Sequence, residues 1–316
     1  MQADKNGPRI TVMGSFAADL AFRTHRLPAW GETFMGSGFS LGPGGKGSNQ
    51  AVAAARAGAQ VSFIGKVGND PFAELARSTF RQEGIDARCL LSSENSTGAA
   101  AIIIDAQSGE NAIVVVPGAC LDLTPEEVEG MKELIAAAAM FVTQLEIALP
   151  TVERGLKLAH DLGVPTILNP APGCKLPQAV FPCCDYVTPN ESETEVLTGI
   201  RVGSAADAER AADAFLALGV RNAVITLGAQ GAFVKNRTVK ALVPAFDAGP
   251  VVETTGAGDA FNGGFAVALA EGRGLVEAAR FGCAVAGLSV TRPGTAPSMP
   301  HRAEVDALLR AFSETT

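Results

Sequence analysis

The stretch GKGSNQAVAAARAGAQVSFIGK, residues 45–66, passes from an alanine-rich helix through a glycine to an apolar strand. Together with the β-branched run RITVMG at residues 9–14, it gives a strand, helix, strand order. Beyond residue 124 the alternation continues, as in a helix predicted over residues 124–138 that is followed by a strand over residues 140–144. This order predicts an α/β fold with a central, mostly parallel sheet between helices.

Two β-rich segments interrupt the alternation, at about residues 16–41 and 96–116. The first contains Gly and Phe residues without helical spacing. The second holds two apolar runs, residues 99–105 and 112–116, on either side of the turn-rich sequence AQSGEN. We expect both segments to project together as a small β-sheet lid. The sequence contains no internal repeat or long linker, so it predicts a single domain over residues 1–316 that carries this lid.

The composition excludes several classes of protein. Hydrophobic residues make up 47% of the 316 residues, enough for a core, and 35 Gly with 18 Pro are too few for a disordered or collagen-like chain. The net charge of −8 provides no positive field that would attract nucleic acid or an anionic membrane. Any bound anion must therefore be held by local geometry. Because the chain has only three histidines, a carboxylate is the expected group for proton transfer.

The cysteines and the start of the chain indicate a reduced, cytoplasmic setting. The six cysteines form no CxxC pair and no Cys/His cluster at zinc spacing. Residues 1–9 are polar and lack the basic-then-apolar order of a signal peptide. The longest apolar run, residues 134–145, is too short for a membrane span. We therefore expect neither a membrane nor nucleic acid as a partner.

The segment TTGAGDAFNGG, residues 254–264, follows the apolar pair Val251-Val252 and predicts a strand, a glycine turn and a helix start in succession. Unpaired backbone N–H groups at the positive end of such a helix could bind an anion without a lysine. Asp259, in the first helical turn, could accept the proton of a hydroxyl that attacks phosphorus. The alternative is that Asp259 only caps the helix and the glycines form a tight turn.

A second glycine-rich segment, GPGGKGSNQ at residues 42–50, also enters a predicted helix. It departs from the Walker A pattern, since Gly47 stands where Ser or Thr should follow the lysine, and from the dinucleotide fingerprint. Its backbone N–H groups and the Asn49 amide could bind a polyol, whereas the alternative is a plain glycine turn packed against the lid. Asp19 and Glu146 end predicted strands, and this favours the polyol site because open α/β sheets bind ligands at their carboxyl ends.

Two further segments have both a structural and a ligand-binding interpretation. In NESE, residues 190–193, acidic side chains suit a helix start, or Asn190 and Glu193 hold hydrated Mg²⁺ beside nucleotide phosphates. The sequence TLGAQG, residues 226–231, is a common strand end with a glycine-flanked turn, or a loop that accepts adenine and ribose. Both interpretations stay open at this point.

In chain order, the segments GGKGSNQAVAAARAG, TPNESE, ITLGAQG and TTGAGDAFNGG resemble those of the ribokinase family of ATP-dependent sugar kinases, also called the PfkB family. The resemblance extends from about residue 10 to residue 312. It implies a ribokinase-like fold with a β-lid, and a homodimer in which the lids pair. It also implies transfer of the γ-phosphoryl group of ATP to a primary hydroxyl of a small sugar, first of all ribose, which gives ribose 5-phosphate. Fructose, another ketose or a nucleoside are alternative acceptors, and a non-catalytic sugar- or nucleotide-binding protein is the alternative from another class.

The resemblance also implies site residues. Asp259 matches the catalytic base, and the anion hole for the transferring phosphoryl group matches Gly256, Ala257 and Gly258. The positions implied for the sugar are Asp19, Gly45, Lys46, Asn49, Glu146 and Asp259. The positions implied for ATP are Asn190, Thr226, Leu227, Gly228, Ala229, Gln230, Gly231, Gly258 and Cys283, the last as apolar packing near adenine. Glu193 matches the acid associated with Mg²⁺.

Two positions depart from the family pattern. Members that phosphorylate ribose usually have Asn two residues before the sugar-binding Asp, whereas this chain has Ala17. An unpaired sugar hydroxyl costs roughly 1–3 kcal/mol, and the missing amide leaves room for a larger polyol. Glu253 stands where the family has an Asp that ligates an activating monovalent cation, and its extra methylene could bind, displace or replace that ion. A K⁺ loop is still expected from the other matching positions, which are Thr255, Ser289, Arg292, Gly294 and Ser298.

Overall fold

Nine strands form the central sheet of the computed structural model, which describes residues 7–107 and 111–313. The strands of this sheet and of a second one are β1 (Arg9–Met13), β2 (Ala17–Thr24), β3 (Gly38–Gly44), β4 (Gln60–Val67), β5 (Asp86–Ser92), β6 (Gly98–Asp105), β7 (Asn111–Val116), β8 (Met140–Thr143), β9 (Thr166–Leu168), β10 (Tyr186–Val187), β11 (Asn222–Thr226), β12 (Ala232–Lys235) and β13 (Lys240–Val243). The central order is β13-β12-β11-β10-β9-β8-β1-β4-β5. All pairs from β11 to β5 are parallel, and the β12–β13 hairpin is antiparallel. The carboxyl ends of the parallel strands therefore meet at one edge of the sheet.

Helices cover both faces of the central sheet. They are α1 (Lys46–Arg56), α2 (Pro71–Gln82), α3 (Pro125–Glu129), α4 (Lys132–Ala136), α5 (Leu149–Asp161), α6 (Glu191–Thr198), α7 (Ala205–Ala217), α8 (Ala257–Ala270), α9 (Leu275–Ser289) and α10 (Arg302–Ser313). In β1, Val12 packs in an apolar cluster with residues of α1, α8 and α9, and Met13 packs in a second cluster with residues of α5 and α7. This alternation is expected of a strand that is buried on both faces, and the predicted α/β architecture is confirmed.

A separate sheet in the order β3-β2-β6-β7 is formed by the two β-rich segments that the sequence sets apart. Strands β2 and β6 are parallel, and the two outer pairs are antiparallel. The register places Asp19 on one face, here called the inner face, and places Phe22 with its cross-strand neighbour Phe39 on the other, here called the outer face. Residues 108–110 of the predicted hairpin turn and the polar residues 1–6 lie outside the described residues.

The prediction of one continuous helix over residues 124–138 is wrong. The structure has two short helices, α3 and α4, separated at Gly130 and Met131. Thr124 begins α3 with a capping box, in which its hydroxyl accepts from the N–H of Glu127 and the Glu127 carboxylate accepts from the N–H of Thr124. Because glycine has a low helix propensity, the chain breaks its helical run at Gly130.

The strand predicted at Val251-Val252 is also wrong. Both valines are exposed. The N–H groups of Val252 and Glu253 donate to the carbonyl oxygen of Val290, at 2.8 and 3.2 Å, so the end of α9 satisfies them in place of a neighbouring strand. The edge strand β5 was not predicted, because its sequence DARCLLS mixes charged and apolar residues without alternation.

The helices and the cysteines can be compared with the expectation of a reduced setting without a membrane span. Within residues 7–107 and 111–313, no helix has both the length and the apolar composition needed to cross a bilayer. All six cysteines are free thiols. Burial raises the pKa of the Cys120 thiol to about 11, so this group stays protonated and packs as a small apolar side chain.

Helices α1 and α8 approach each other through glycine, and this contact positions the candidate site. A Cβ atom at Gly263 of α8 would lie 2.5 Å from the Cβ of Ala53 and 2.8 Å from the carbonyl oxygen of Gln50, both in α1. No side chain larger than hydrogen fits between the helices at this point. The polar side chains at the start of α1 can therefore reach the first turn of α8.

We predict that Gly263→Ala lowers the free energy of unfolding by roughly 1–3 kcal/mol, because the added methyl group overpacks the α1–α8 contact. Urea unfolding followed by circular dichroism measures this change. Gly258→Ala in the same helix is the matched control, since a Cβ there has open space and should leave stability equal or higher. Equal stability of the Gly263→Ala variant and the wild type would contradict the close packing.

Candidate functional site

Asp259 lies in the first turn of α8, at the carboxyl edge of the central sheet, and is 5% exposed. Its two carboxylate oxygens accept hydrogen bonds from neighbouring amides of α1. Asn49 Nδ2 donates to Oδ2 at 2.9 Å, and Gln50 Nε2 donates to Oδ1 at 3.0 Å. The close α1–α8 contact thus holds one buried acid between two amides.

Among the charged groups around Asp259, Glu193 is buried, while Lys46 and Glu146 are half-buried. Burial raises the pKa of the Asp259 carboxyl, while Lys46 and the two amides of α1 act in the opposite direction. The pKa of Lys46 is raised in turn by the negative charge of Asp259 and, to a lesser degree, of Glu146 and Glu193. A carboxylate in this setting is more basic than a solvated one, and this makes it a suitable proton acceptor.

The turn in front of Asp259 begins α8 without a side-chain cap. Gly256 adopts φ 83° as the N-cap of α8, a conformation that favours glycine, and no side chain caps this end. A Cβ at Gly258 would meet nothing within 4 Å, so the corner is open. Of the predicted anion-hole positions, Ala257 already donates its N–H to the Thr254 carbonyl at 3.1 Å. The N–H groups of Gly258 and Asp259 have no acceptor four residues earlier within the helix, and they lie at its positive end.

Glu146 follows β8 and lies against the start of α1. Its Oε2 accepts from the backbone N–H of Lys46 at 2.8 Å and from the hydroxyl of Ser15 at 2.5 Å. The backbone N–H of Gly47 donates to the same hydroxyl at 3.4 Å. Ser15 was not identified from the sequence, where its position two residues after the end of β1 is the signal that could have found it. The structure thus joins the ends of β1 and β8 to the start of α1.

Asp19 and Ala17 lie on the inner face of the small sheet, beside the glycine-rich turn that enters α1. A Cβ at Gly44 would lie 2.2 Å from Asp19 Oδ1, and a Cβ at Gly45 would lie 2.8 Å from the Ala17 nitrogen. Positions 44 and 45 therefore have no room for a side chain larger than that of glycine. Ala17 is buried and has no polar side-chain atom. Burial raises the pKa of Asp19 to about 6, and the hydroxyl of Thr295 donates to its Oδ2 at 3.0 Å.

A chain of buried amides behind Asp259 was not predicted from the sequence. Gln50 Nε2 also donates to Asn169 Oδ1 at 3.0 Å, and Gln50 Oε1 accepts from Gln144 Nε2 at 2.7 Å. Asn169 Nδ2 donates to the Thr188 carbonyl oxygen at 3.0 Å. Gln144, Asn169 and Thr188 directly follow β8, β9 and β10, so polar residues immediately after apolar strands were the signal in the sequence.

The same network also includes residues of α8, and its hydrogen bonds allow the Gln50 amide only one orientation. The Thr188 hydroxyl donates to Asn262 Oδ1 at 2.6 Å, and Asn262 Nδ2 donates to the Gly258 carbonyl at 2.8 Å. Gln50 uses both N–H groups and its carbonyl oxygen in this chain. A flipped amide would place that oxygen against the acceptor oxygens of Asp259 and Asn169, so the network maintains the donor that faces the acid.

Three buried polar atoms near this network have no hydrogen-bond partner in the part of the chain that the structure describes, namely Ser48 Oγ, Asn49 Oδ1 and Gln144 Oε1. A buried unpaired polar group costs roughly 1–3 kcal/mol. The hydroxyl of a bound ligand beside Asn49 would supply a donor for its oxygen. The role of the Asn49 amide in polyol binding stays a prediction.

Asn190 and Glu193 form a reciprocal cap at the start of α6. Asn190 Oδ1 accepts from the N–H of Glu193, and Glu193 Oε2 accepts from the N–H of Asn190, both at 2.9 Å. This is the geometry expected from the helix-cap interpretation. Burial raises the pKa of Glu193, and the charge of Lys46 acts against that shift. Glu193 therefore belongs to the same electrostatic group as the acids around Lys46.

The loop after β11 lies beside the start of α6. The N–H of Thr226 donates to the carbonyl of Pro189 at 2.9 Å, and the N–H of Leu227 donates to the carbonyl of Gly231 at 2.8 Å. Between them, Gly228–Gln230 form an exposed 3₁₀ turn. The two segments predicted for ATP are thus neighbours at the carboxyl ends of β10 and β11.

Cys283 lies in α9, which packs against β12, the strand that follows this loop. It is buried, and burial raises the pKa of its thiol to about 12. A thiol with this pKa is protonated and unreactive at neutral pH. Its placement agrees with the predicted apolar packing.

The two segments that hold the predicted monovalent-cation positions meet beside the start of α8. Glu253 Oε2 accepts from the N–H of Gly294 at 2.8 Å. The hydroxyls of Ser289 and Ser298 donate to backbone carbonyls three residues earlier, at 2.8 and 2.7 Å. The side chain of Arg292 forms an ion pair with an acid of α10. The longer Glu253 side chain thus bridges the two segments directly through one carboxylate oxygen.

The chain is similar to known proteins over nearly its whole length. The chain is 40% identical to the ribokinase of Haemophilus influenzae over 93% of its own length and 96% of that protein. It is 36% identical to the deoxyribokinase of Salmonella typhi over 92% of its own length and 95% of that protein. Among solved structures, it is similar to Arabidopsis thaliana ribokinase complexed with ribose and ATP, with a TM-score of 0.90, 30% identity, and coverage of 96% of this chain and 99% of that one.

The family model described as pfkB family carbohydrate kinase matches residues 8–302. This range holds the small sheet, the carboxyl edge of the central sheet, and Asp259 with its glycine turn. The match, the shared fold and the identities to ribokinases agree with one another. The chain therefore belongs to the pfkB family of carbohydrate kinases.

Proposed function

We propose that this protein transfers the γ-phosphoryl group of ATP to the primary hydroxyl of ribose and so forms ribose 5-phosphate. The observation that carries this proposal is Asp259, a buried acid with a raised pKa at the open start of α8, held by two amides. The 40% identity to the ribokinase of Haemophilus influenzae supports ribose as the acceptor. The likeness to Arabidopsis thaliana ribokinase complexed with ribose and ATP supports both substrates.

The sugar side of the proposed site is built around the glycine-rich turn that enters α1. Asp19 and Glu146 accept hydrogen bonds from sugar hydroxyls, and Asn49 receives one at its buried Oδ1, which lacks a partner in the described residues. Gly45 lies in this turn and is a further position that the resemblance implies for the sugar. The ammonium group of Lys46 balances the negative charge of the surrounding acids.

In the proposed transfer step, Asp259 accepts the proton of the primary hydroxyl. The hydroxyl oxygen forms its bond to the γ-phosphorus, and ADP leaves with the electron pair of the broken P–O bond. The N–H groups of Gly256 and Gly258 stabilise the charge on the transferring phosphoryl group at the positive end of α8, while the N–H of Ala257 donates to the Thr254 carbonyl. The small sheet closes over the sugar as a lid and excludes water, which would otherwise compete as the acceptor.

The nucleotide side of the proposal uses the neighbouring segments at the ends of β10 and β11. Asn190, the loop of residues 226–231, Gly258 and Cys283 bind ATP. Glu193 fits Mg²⁺, because a carboxylate suits this hard cation and because burial leaves its charge poorly compensated, as its raised pKa indicates. When bound there, Mg²⁺ would offset the charge of the ATP phosphates.

A monovalent cation fits the two segments beside α8, because their donors are oxygen atoms. K⁺ would be held by oxygen atoms at Glu253, Thr255, Ser289 and Ser298 and by the backbone carbonyl oxygens of Arg292 and Gly294, since these two residues have no side-chain oxygen. The negative charge of Glu253 contributes to the raised pKa of Asp19. A bound K⁺ would reduce this repulsion and favour the ionised form of Asp19, which accepts hydrogen bonds from the sugar.

A homodimer through the small sheet is part of the proposal. The outer face of this sheet carries exposed apolar side chains, among them Phe22, Phe39, Leu41 and Val114. Such a contiguous apolar face is typical of an interaction surface. Because Asp19 lies on the inner face, a second copy can cover the outer face and leave the sugar site accessible.

We also infer a cytoplasmic location. All six cysteines are free thiols. Free thiols are typical of reducing compartments, in which disulfides are rare.

Ala17 favours 2-deoxyribose as a second candidate acceptor. Its buried methyl group lies on the same face as Asp19 and cannot hydrogen-bond to a sugar hydroxyl. A sugar that lacks one hydroxyl would leave no unpaired group at such a wall. The 36% identity to the deoxyribokinase of Salmonella typhi supports this candidate.

We predict that Asp259→Asn lowers kcat with ribose and ATP by at least about 10²-fold, because the amide cannot accept the hydroxyl proton. ADP release measures kcat, and calorimetry without ATP is expected to show that ribose still binds. Asp161→Asn is the control, since this exposed acid of α5 pairs with Lys157 on the surface. Turnover of the Asp259→Asn variant near the wild-type rate would rule out Asp259 as the base.

For the substrate, we predict that ribose gives the highest kcat/KM in a panel that includes 2-deoxyribose, fructose and a nucleoside. We also predict that ribose phosphorylation is faster in K⁺ than in tetramethylammonium. Ala17→Asn should raise the preference for ribose over 2-deoxyribose by about tenfold, because it restores a hydrogen bond. Ala17→Val adds volume without a polar atom and serves as the control. A preference for 2-deoxyribose would favour the second candidate. No ADP release with any sugar would indicate a non-catalytic binding protein.

For the dimer, we predict that Val114→Glu yields a monomer in sedimentation velocity, because it places a charge on the apolar outer face. Val114 is 67% exposed in the single chain. Val196→Glu on α6 is the matched control, since Val196 is also an exposed valine but lies away from the small sheet. A wild-type monomer, or a Val114→Glu dimer of unchanged stability, would contradict the proposed interface.

A further inference from the structure

Thr295 connects the loop after α9 to the small sheet. Its hydroxyl lies 3.0 Å from Asp19 Oδ2 and 3.1 Å from the carbonyl oxygen of Pro43. A hydroxyl has one proton to donate, and an ionised carboxylate is the stronger of the two acceptors. Thr295 is itself buried, so its position does not depend on solvent.

The Asp19 carboxylate is confined from two directions. Gly44 lies so close beneath it that a Cβ there would be 2.2 to 2.3 Å from all three atoms of the carboxylate group. Thr295 holds Oδ2 by its hydrogen bond. This leaves Oδ1 as the oxygen that is not engaged by Thr295, on the inner face of the small sheet.

Three acids raise the pKa of Asp19 through their negative charge. They are Glu146 after β8, Asp259 in α8 and Glu253 in the segment before α8. Burial raises the pKa of Asp19 to about 6, these three acids add to that effect, and the Thr295 hydrogen bond acts against it. The Thr295 hydroxyl is thus the side-chain donor that favours the ionised form of this carboxyl.

Thr295 also lies beside Gly256, the N-cap residue of α8. A Cβ at Gly256 would be 3.4 Å from the Cα and 3.5 Å from the Cβ of Thr295. The preceding residue, Gly294, donates its N–H to Glu253. One short loop therefore contacts both the acid proposed for the sugar and the turn proposed for the phosphoryl group.

We propose that Thr295 is a positioning residue for sugar recognition, which holds Asp19 Oδ2 through its hydroxyl so that Oδ1 accepts a hydrogen bond from a sugar hydroxyl. This inference rests on the proposed function, in which Asp19 binds the sugar. Thr295 does not touch the reacting atoms. Its loss is therefore expected to change sugar affinity more than the rate of the transfer step.

The test compares Thr295→Val, which keeps the shape without the hydroxyl, with Thr295→Ser, which keeps the hydroxyl. Thr295→Val should raise KM for ribose by about tenfold, since hydrogen bonds to charged groups are among the stronger ones, with a much smaller change in kcat. Thr295→Ser should restore most of the affinity. All assays are run at saturating K⁺, so that an altered cation affinity does not enter, and thermal melting confirms that each variant is folded.

The pH dependence separates positioning from a general packing defect. Without the Thr295 hydrogen bond the pKa of Asp19 rises further above about 6, so the carboxyl becomes protonated at higher pH. The ratio of KM for ribose between Thr295→Val and the wild type should therefore be larger at pH 6 than at pH 8. Thr291→Val is the matched control, because its hydroxyl on the same loop donates to the Leu288 carbonyl and not to the site.

Calorimetry with ribose in the absence of ATP distinguishes failure of this inference from failure of the proposed function. Wild-type protein that binds no sugar would overturn the proposed function and the inference with it. Wild-type protein that binds ribose, together with a Thr295→Val variant that binds it equally well at both pH values, would overturn the inference alone. A tenfold loss that Thr295→Ser does not restore would assign Thr295 a packing role and likewise overturn it.

Discussion

The structure of this site depends on one interaction, the hydrogen bonding of the Asp259 carboxylate by the amides of Asn49 and Gln50 across the α1–α8 contact. It requires that the two helices approach more closely than side chains normally allow, which Gly263 makes possible. It also requires that the amides cannot rotate, which the chain through Asn169 ensures for Gln50. Packing and polar geometry are therefore not separate features here.

The electrostatic character of the site follows from the same arrangement. Asp259, Glu146 and Glu193 act on the half-buried ammonium group of Lys46, and neutral amides and helix N–H groups supply the remaining stabilisation. Neutral donors hold an acid in place and leave it basic. A closely paired arginine would instead lower the pKa of the carboxyl group strongly. In the proposed function, a chain of net charge −8 binds the anionic nucleotide at this local turn although it has no overall positive field.

Much of this could be predicted from the sequence, because short-range signals were strong. The apolar strands, the capped helix starts and the glycine turn before Asp259 are local patterns, and the resemblance of the motifs pointed to the family. The residues that were missed, Ser15, Gln50 and Thr295, act through partners that lie more than a hundred positions away in the chain. The strand expected at Val251-Val252 was wrong because the N–H of Val252 bonds to the carbonyl of Val290 at the end of α9. Sequence patterns report periodicity well, but they do not report which polar groups meet after folding.

The amide chain behind Asp259 has a consequence for how such a protein can diverge. Each member from Gln144 to Asn262 satisfies the next, so an apolar replacement at one position strands the donor or acceptor of its neighbour. Substitutions at these positions must therefore occur together, and related proteins would keep or lose the whole network. The wall at Ala17 carries no polar atom. A substitution there leaves no hydrogen-bond partner unpaired, so new sugar preferences could arise without a change in the network around Asp259.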